Sequence, residues 1–227
     1  MKIVITNDDG FGEPGIQALQ RAMQPLGEVV VVAPRDPHSF AGHRVTMKDP
    51  IRVEQKNAHA FSVHGAPADC TRLALKHLAP DADWVIAGIN PGANLGTDVY
   101  QSGTVAAARE AAILGVKGIA ISQYISRGQS IAWESTRRHA AQIITLLMGE
   151  TLAPGQYWNV NLPHPHTPSS VLEHVLCPMD RNPHDYTYVK TADTYQYQGI
   201  IQNRPRDPGG DVDVCFGGRI AVTRLAI

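Results

Sequence analysis

The chain has 227 residues, long enough to bury a full core within one main domain, and three cysteines, too few and too scattered for a disulfide framework or a zinc cluster. Twenty Lys plus Arg against 21 Asp plus Glu give a formal charge of -1 with no long run of either sign, which argues against a nucleic acid as a stable partner and against a basic membrane-binding surface. No segment has the apolar length of a membrane span, and Met1-Lys2 leads directly into a short strand-like run instead of a signal peptide, so a cytoplasmic location is expected.

Ile3 to Thr6 reads as a buried first strand cut off by Asn7-Asp8-Asp9-Gly10. Ile16, Leu19, Met23 and Leu26 recur at helical spacing before Gly27, predicting a helix over about 15–26. Glu28 to Ala33 contains four successive valines. A continuous apolar run of this kind suits a parallel strand covered on both faces. After Pro34, residues 45–53 and 60–63 read as an antiparallel excursion. A helix opens at Pro67 with Cys70 on its apolar face, and Trp84 to Ile89 is the third parallel strand. The loop 90–96 is punctuated by glycine, Thr104 to Leu114 is an alanine-rich helix, and Gly118 to Ser122 is the fourth strand. A helix over about 131–148 and a strand over 157–162 complete the alternation.

That alternation predicts an α/β fold: a doubly wound, mostly parallel, Rossmann-like sheet with an antiparallel excursion and an extended C-terminal arm. Residues 1–162 would form the catalytic part. Residues 163–227, rich in Pro, His, Asp and Tyr, would form an arm with a hairpin near 186–201 and a closing strand near 219–225, belonging to the same domain and used for oligomer contact. His164 and His166, flanked by prolines, have no third ligand at useful spacing and are assigned to a loop.

Ligands in open α/β sheets bind beyond the carboxyl ends of the strands, and the residues expected there are strongly polar. Asn7, Asp8 and Asp9 follow the first strand, Ser39 follows the second, and Asn90 and Asn94 follow the third. Ser102-Gly103-Thr104 opens the alanine-rich helix. Consecutive strand residues point to opposite faces, so Asp8 and Asp9 can aim at one point only if the strand breaks, and Gly10 permits that break. Two carboxylates held together need a cation or a proton between them, and an all-oxygen set suits Mg²⁺, Mn²⁺ or Ca²⁺. The plainer alternative is that the pair only caps a helix or shapes a turn. Ser102, Gly103 and Thr104 would place hydroxyls and free N–H groups where an anion can sit, although an ordinary N-cap has the same composition. His43 could reach the crevice as a proton donor or lie on a surface loop. Phosphate, metal and acidic side chains together are the working layout of a phosphohydrolase.

Several blocks of sequence carry a closer likeness. Asn7-Asp8-Asp9-Gly10, Ala33-Pro34 with Ser39, Gly42 and His43, residues 65–70, residues 88–96, and Ser102-Gly103-Thr104-Val105 occur in the order seen in the survival protein SurE family. Residues 159–163 and Asp211-Val212-Asp213 extend the likeness into the tail, so the chain resembles that family over nearly its whole length. The resemblance implies a phosphatase that hydrolyses nucleoside 5′-monophosphates to nucleoside and phosphate. It further implies one divalent cation per subunit, Mg²⁺ or Mn²⁺, and a homodimer or dimer of dimers built through the arm. Asp8, Asp9, Ser39 and Asn90 would then be metal ligands, Asp8 and Asp9 the catalytic residues, and Asn94, Ser102, Gly103, Thr104 and His43 would contact phosphate or substrate. Two positions depart from the family pattern: Ala87 where serine is usual and Gln101 where tyrosine or histidine is common. A nicotinamide-dependent oxidoreductase shares the topology, but Asn7-Asp8-Asp9-Gly10-Phe11-Gly12 sets two negative charges where a pyrophosphate would lie. A non-catalytic nucleotide or metal sensor would use the same ligands without turnover.

Overall fold

A computed structural model describes residues 1–164, 171–184 and 186–227, so His166 lies outside the described residues. Six strands form the parallel centre of a nine-stranded sheet: β1 (Lys2–Thr6), β2 (Glu28–Pro34), β4 (Ala60–Val63), β5 (Trp84–Pro91), β6 (Lys117–Gln123) and β7 (Gln156–Leu162). Three more strands lie outside that centre, and the full order is β3 (Val53–Asn57), β4, β2, β1, β5, β6, β7, β11 (Ile220–Ala226) and β8 (His174–Leu176). Counting only the parallel strands, the chain moves outward from β1 through β2 to β4, then returns to β5 and moves the other way. The reversal lies between β1 and β5, which pair from Ile3–Trp84 to Thr6–Ala87. The carboxyl ends of those two strands diverge there and open a crevice.

Alternation along the strands assigns the two faces. Ile3, Ile5, Ile86, Ile119 and Ile121 point to one face, where α1 (Pro14–Met23) and α4 (Trp133–Met148) pack together. Val4, Val30, Val32 and Val85 point to the other, beneath α2 (Pro67–Leu73) and next to α3 (Gly103–Ile113). Each fully buried Ile or Val contributes about 2 kcal/mol relative to exposure, and covering both faces explains why these strands read as unbroken apolar runs. Between Leu73 and β5, the chain continues α2 as a π-helical turn, Ala74–Leu78.

The excursion is placed differently from the sequence reading. Residues 45–52 form no strand, and β3 runs over Val53–Asn57 as a hairpin partner of β4. Part of the reason is that Thr46 is held side-on: its N–H and hydroxyl both donate to the Asp69 carboxylate, at 2.8 Å each. The tail holds the anticipated hairpin, β9 (Tyr188–Thr191) and β10 (Thr194–Tyr197), together with β8 and a short helix, α5 (Asp211–Phe216), that periodicity did not reveal. β11 lies antiparallel against β7, so the tail also completes the main sheet. Among the described residues, no helix is long and apolar enough to cross a membrane.

Candidate active site

The loop after β1 leaves the sheet plane at Gly10, whose φ of 122° is open only to glycine. Its shape is fixed by three short bonds. Asn7 Nδ2 donates to the Gly10 carbonyl at 2.8 Å, Phe11 N–H to the Pro34 carbonyl at 2.7 Å, and His38 N–H to the Asp8 carbonyl at 2.7 Å. The loops following β1 and β2 are thus tied together, which brings the Ser39 segment beside the two aspartates.

Asp8 is almost fully buried at the start of α3, where the Thr104 hydroxyl donates to its Oδ1 at 2.5 Å. Burial raises its pKa above the ordinary value, against the opposing effect of the Thr104 bond. Asp9 has no such support. Its carboxyl is pushed up to about 7 by burial first, and then by the negative charges of Asp8 and Glu13. Asp9 Oδ2 is buried without a hydrogen-bond partner among the described residues, as is Asn7 Oδ1. A buried carboxylate oxygen with no donor and a second carboxylate beside it is unstable as it stands, and a cation resolves both defects at once. Asp8, Asp9, Ser39 and Asn90 all line one cavity of about 1080 Å³ and offer only oxygen and amide donors, a set that fits a hard divalent ion.

Gly103 explains how α3 comes so close. A Cβ there would stand 2.9 Å from Asp8 Cβ and 3.1 Å from Asp8 Oδ2. Ser102 is the N-cap of α3, its Oγ accepting from Val105 N–H at 3.0 Å, and it also lines the cavity. The N-terminus of α3 therefore faces the carboxylates, and favours the negative charge of Asp8 as it would that of a bound anion. Thr104 is fully buried with its hydroxyl committed to Asp8, so it positions that carboxylate and does not itself face the cavity.

Asn94 lines the cavity and is held rigidly. Its Nδ2 donates to Ser122 Oγ and its N–H to Asn161 Oδ1, both at 2.8 Å, and its carbonyl accepts from Asn159 and Asn161. Asn90 lines the cavity as well, with Nδ2 donating to the Gly92 carbonyl at 2.8 Å, which leaves its amide oxygen as the atom for a ligand. His43 is placed elsewhere. Its Nε2 lies 2.6 Å from Glu110 Oε2 and its Nδ1 is 3.3 Å from Arg109 Nη1, so both ring nitrogens are engaged and the ring is not among the groups lining the cavity. A second bond to Glu110, from Arg72 Nε at 2.6 Å, completes a part-buried network around that carboxylate.

Sequence reasoning missed Asn159, Asn161 and Ser122 as the supports of Asn94. The available signal was two asparagines at i and i+2 in a strand otherwise built from apolar residues, which puts both on one face. It also missed Asp98, which lines the cavity within Gly96–Tyr100, a 3₁₀ turn leading to Ser102.

Fold and site together define a doubly wound α/β protein with an acidic, oxygen-lined crevice at its strand-order reversal, opposite a helix N-terminus. Comparison with known proteins places it within that class. A family model described as Survival protein SurE matches residues 3–185, and the chain belongs to that family. It is 46% identical over 227 residues, covering both chains fully, to a Synechocystis sp. protein provisionally named a 5′-nucleotidase. It is 37% identical to the 5′-nucleotidase SurE of Myxococcus xanthus, over 99% of this chain and 87% of that one. The crystal structure of the SurE protein from Aquifex aeolicus superposes with a TM-score of 0.88 at 29% identity, covering 100% of this chain and 93% of the other.

Proposed function

We infer that this chain is a phosphoric monoester hydrolase, a 5′-nucleotidase that cleaves nucleoside 5′-monophosphates to nucleoside and inorganic phosphate. The observation that carries the reading is the pairing of buried Asp8 with half-buried Asp9, whose Oδ2 is unpartnered among the described residues, beside the N-terminus of α3. Relatives aligned over nearly the whole chain bear the name of this activity, which disfavours a sensor that binds without turnover.

One divalent cation per subunit, Mg²⁺ or Mn²⁺, held by Asp8, Asp9, Ser39 and Asn90, would supply neutralisation of phosphate charge and acidification of water. The protein's own groups do the rest. Thr104 fixes Asp8 in one rotamer, and the Asn159–Asn161–Ser122 set fixes Asn94 at the cavity wall. The partial positive charge at the N-terminus of α3 favours an anion beside Ser102, the residue of that helix end that lines the cavity. With its pKa at about 7, the Asp9 carboxyl is only partly ionised near neutrality, and a bound cation would favour its ionised form.

The arm supports a homodimer or a dimer of dimers, because every residue of β9 and β10 is at least partly exposed and a lone two-stranded hairpin is marginal in water. Three buried, unpaired thiols suit a reducing compartment and support a cytoplasmic location.

The decisive experiment is phosphate release from a panel of nucleoside monophosphates, with and without Mn²⁺ or Mg²⁺, for wild type and Asp8→Asn. Release that needs the cation and disappears in the variant is expected. Folded wild type that releases no phosphate from any substrate under either metal would overturn the reading.

A further inference from the structure

Four of the seven tyrosines lie within residues 186–197, on or beside a hairpin with no core of its own. Tyr188 and Tyr197 stand opposite one another in the β9–β10 register and so share a face. Their rings meet edge to face with centroids 5.7 Å apart. Tyr186 approaches Tyr197 in the same way at 6.0 Å, and His184 stacks on Tyr186 at 5.0 Å. The three tyrosines remain between 48% and 57% exposed, yet all three line the cavity that contains Asp8 and Asp9. Exposed aromatic faces on this scale are costly unless something covers them.

Both ends of the hairpin approach one carboxylate, and the Arg204 end is hydrogen-bonded to it. His184, before it, has Nε2 3.0 Å from Asp98 Oδ1, and Arg204, after it, donates from Nη1 to Asp98 Oδ2 at 2.6 Å while almost fully buried. Asp98 sits in the 3₁₀ turn that runs into Ser102, and Gln101, the residue between, donates from Nε2 to the Tyr186 hydroxyl at 2.9 Å. The wall of rings is therefore held in register with the N-terminus of α3. Asp8, Asp9, Ser102 and these three tyrosines line the same cavity.

We propose that Tyr186, Tyr188 and Tyr197 form the base subsite, stacking the purine or pyrimidine ring of the nucleotide, with the Asp98 clamp as the positioning element. This rests on the nucleotidase reading and specifies what recognises the nucleoside part. The rings offer neutral, planar surface, which accepts any nucleobase and gives little discrimination among them. Tyr195 shares the same face nearer the hairpin tip, where Lys190 Nζ lies 5.4 Å from its ring, but it is not among the cavity residues. It serves as the internal comparison, the aromatic ring whose removal should not affect base binding.

The test compares AMP with ribose 5-phosphate, which shares the phosphate and sugar but has no base, in wild type, Tyr188→Ala, Tyr197→Ala, Tyr197→Phe and Tyr195→Ala. Removing one stacking ring should lower the AMP to ribose 5-phosphate ratio of kcat/KM by about 5- to 100-fold, mainly through KM, with Tyr197→Phe retaining the wild-type ratio. The same ratio is read by calorimetric binding of the two compounds, which remains informative if turnover is absent. Absence of phosphate release from both compounds would count against the nucleotidase reading, while the binding ratio still judges the subsite. Equal losses on both compounds, an unaltered ratio, or a changed subunit number in Tyr188→Ala or Tyr197→Ala would overturn the proposal.

Discussion

Replacing Asp9 by Asn should stabilise the cation-free protein at neutral pH and remove part of its pH dependence. The carboxyl of Asp9 has its pKa at about 7 in the folded chain, against an ordinary value of 3.8. Between those values the folded protein holds a proton that the unfolded chain has released, so stability falls as pH rises through the interval. A gap of about three units, at about 1.4 kcal/mol each, gives ~4 kcal/mol as an upper limit, and partial solvent access reduces this to about 2 kcal/mol. Urea denaturation of chelator-treated protein at about pH 4.5 and about pH 8 measures the effect, and histidines common to both proteins cancel in the difference. Wild type should lose about 2 kcal/mol more than Asp9→Asn across that range, and should regain it on adding Mn²⁺ while the variant regains little. Parallel pH profiles for the two proteins, or a metal response unchanged by the substitution, would refute the argument that Asp9 is an uncompensated carboxylate awaiting a cation.

Two further outcomes follow from the same geometry. Gly103→Ala should cost most of the activity while the melting temperature falls by only a few degrees, because the added methyl meets Asp8 Cβ at 2.9 Å and must displace the carboxylate from α3; steady-state kinetics beside thermal denaturation separates the two effects. Burial works to raise the Glu110 carboxyl, but hydrogen bonds from His43 and Arg72 outweigh it, so its pKa lies below the ordinary value. The stability it contributes is present above the unfolded pKa and is lost as pH falls through the folded one. Glu110→Gln should flatten that acid limb and cost about 1 kcal/mol at neutral pH, because Arg72 and His43 are partly exposed and keep solvent as an alternative partner, and denaturation at several acidic pH values reads both.

The parallel centre was legible because its signal is local. Four valines in a row between Glu28 and Ala33, or an apolar run ending in Asn7-Asp8-Asp9-Gly10, admit few other readings. The set of strand-end residues was legible for the related reason that topology gathers them, and Asp8, Asp9, Ser39, Asn90, Asn94 and Ser102 do line one cavity. What remained hidden depends on partners distant in sequence. Thr104 looked like part of an anion cradle, and only the approach of β1 to α3 shows that its hydroxyl is spent on Asp8. His43 looked free to reach the crevice, and its capture by Glu110, 67 residues away, has no local signature. Residues 45–53 have strand-like composition, but Asp69 holds Thr46 by side-chain bonds that no propensity encodes. α5 has six residues, too few for a period to register, and its buried Asp211 accepts N–H bonds from Gly96 and Asp180.

The position of β11 bears on how the protein is made. β7 is complete once residue 162 has been synthesised, but its outer edge pairs with β11, whose final paired residue is Ala226. At ribosomal speeds of about 5–20 residues per second, the intervening 64 residues take roughly 3–13 s, during which an assembled parallel sheet presents one open edge. β8 emerges in that interval and cannot cover the gap, because its register is to β11 rather than to β7. The nascent chain is thus exposed to aggregation or to holdase chaperones after its parallel centre is complete and before β11 covers β7.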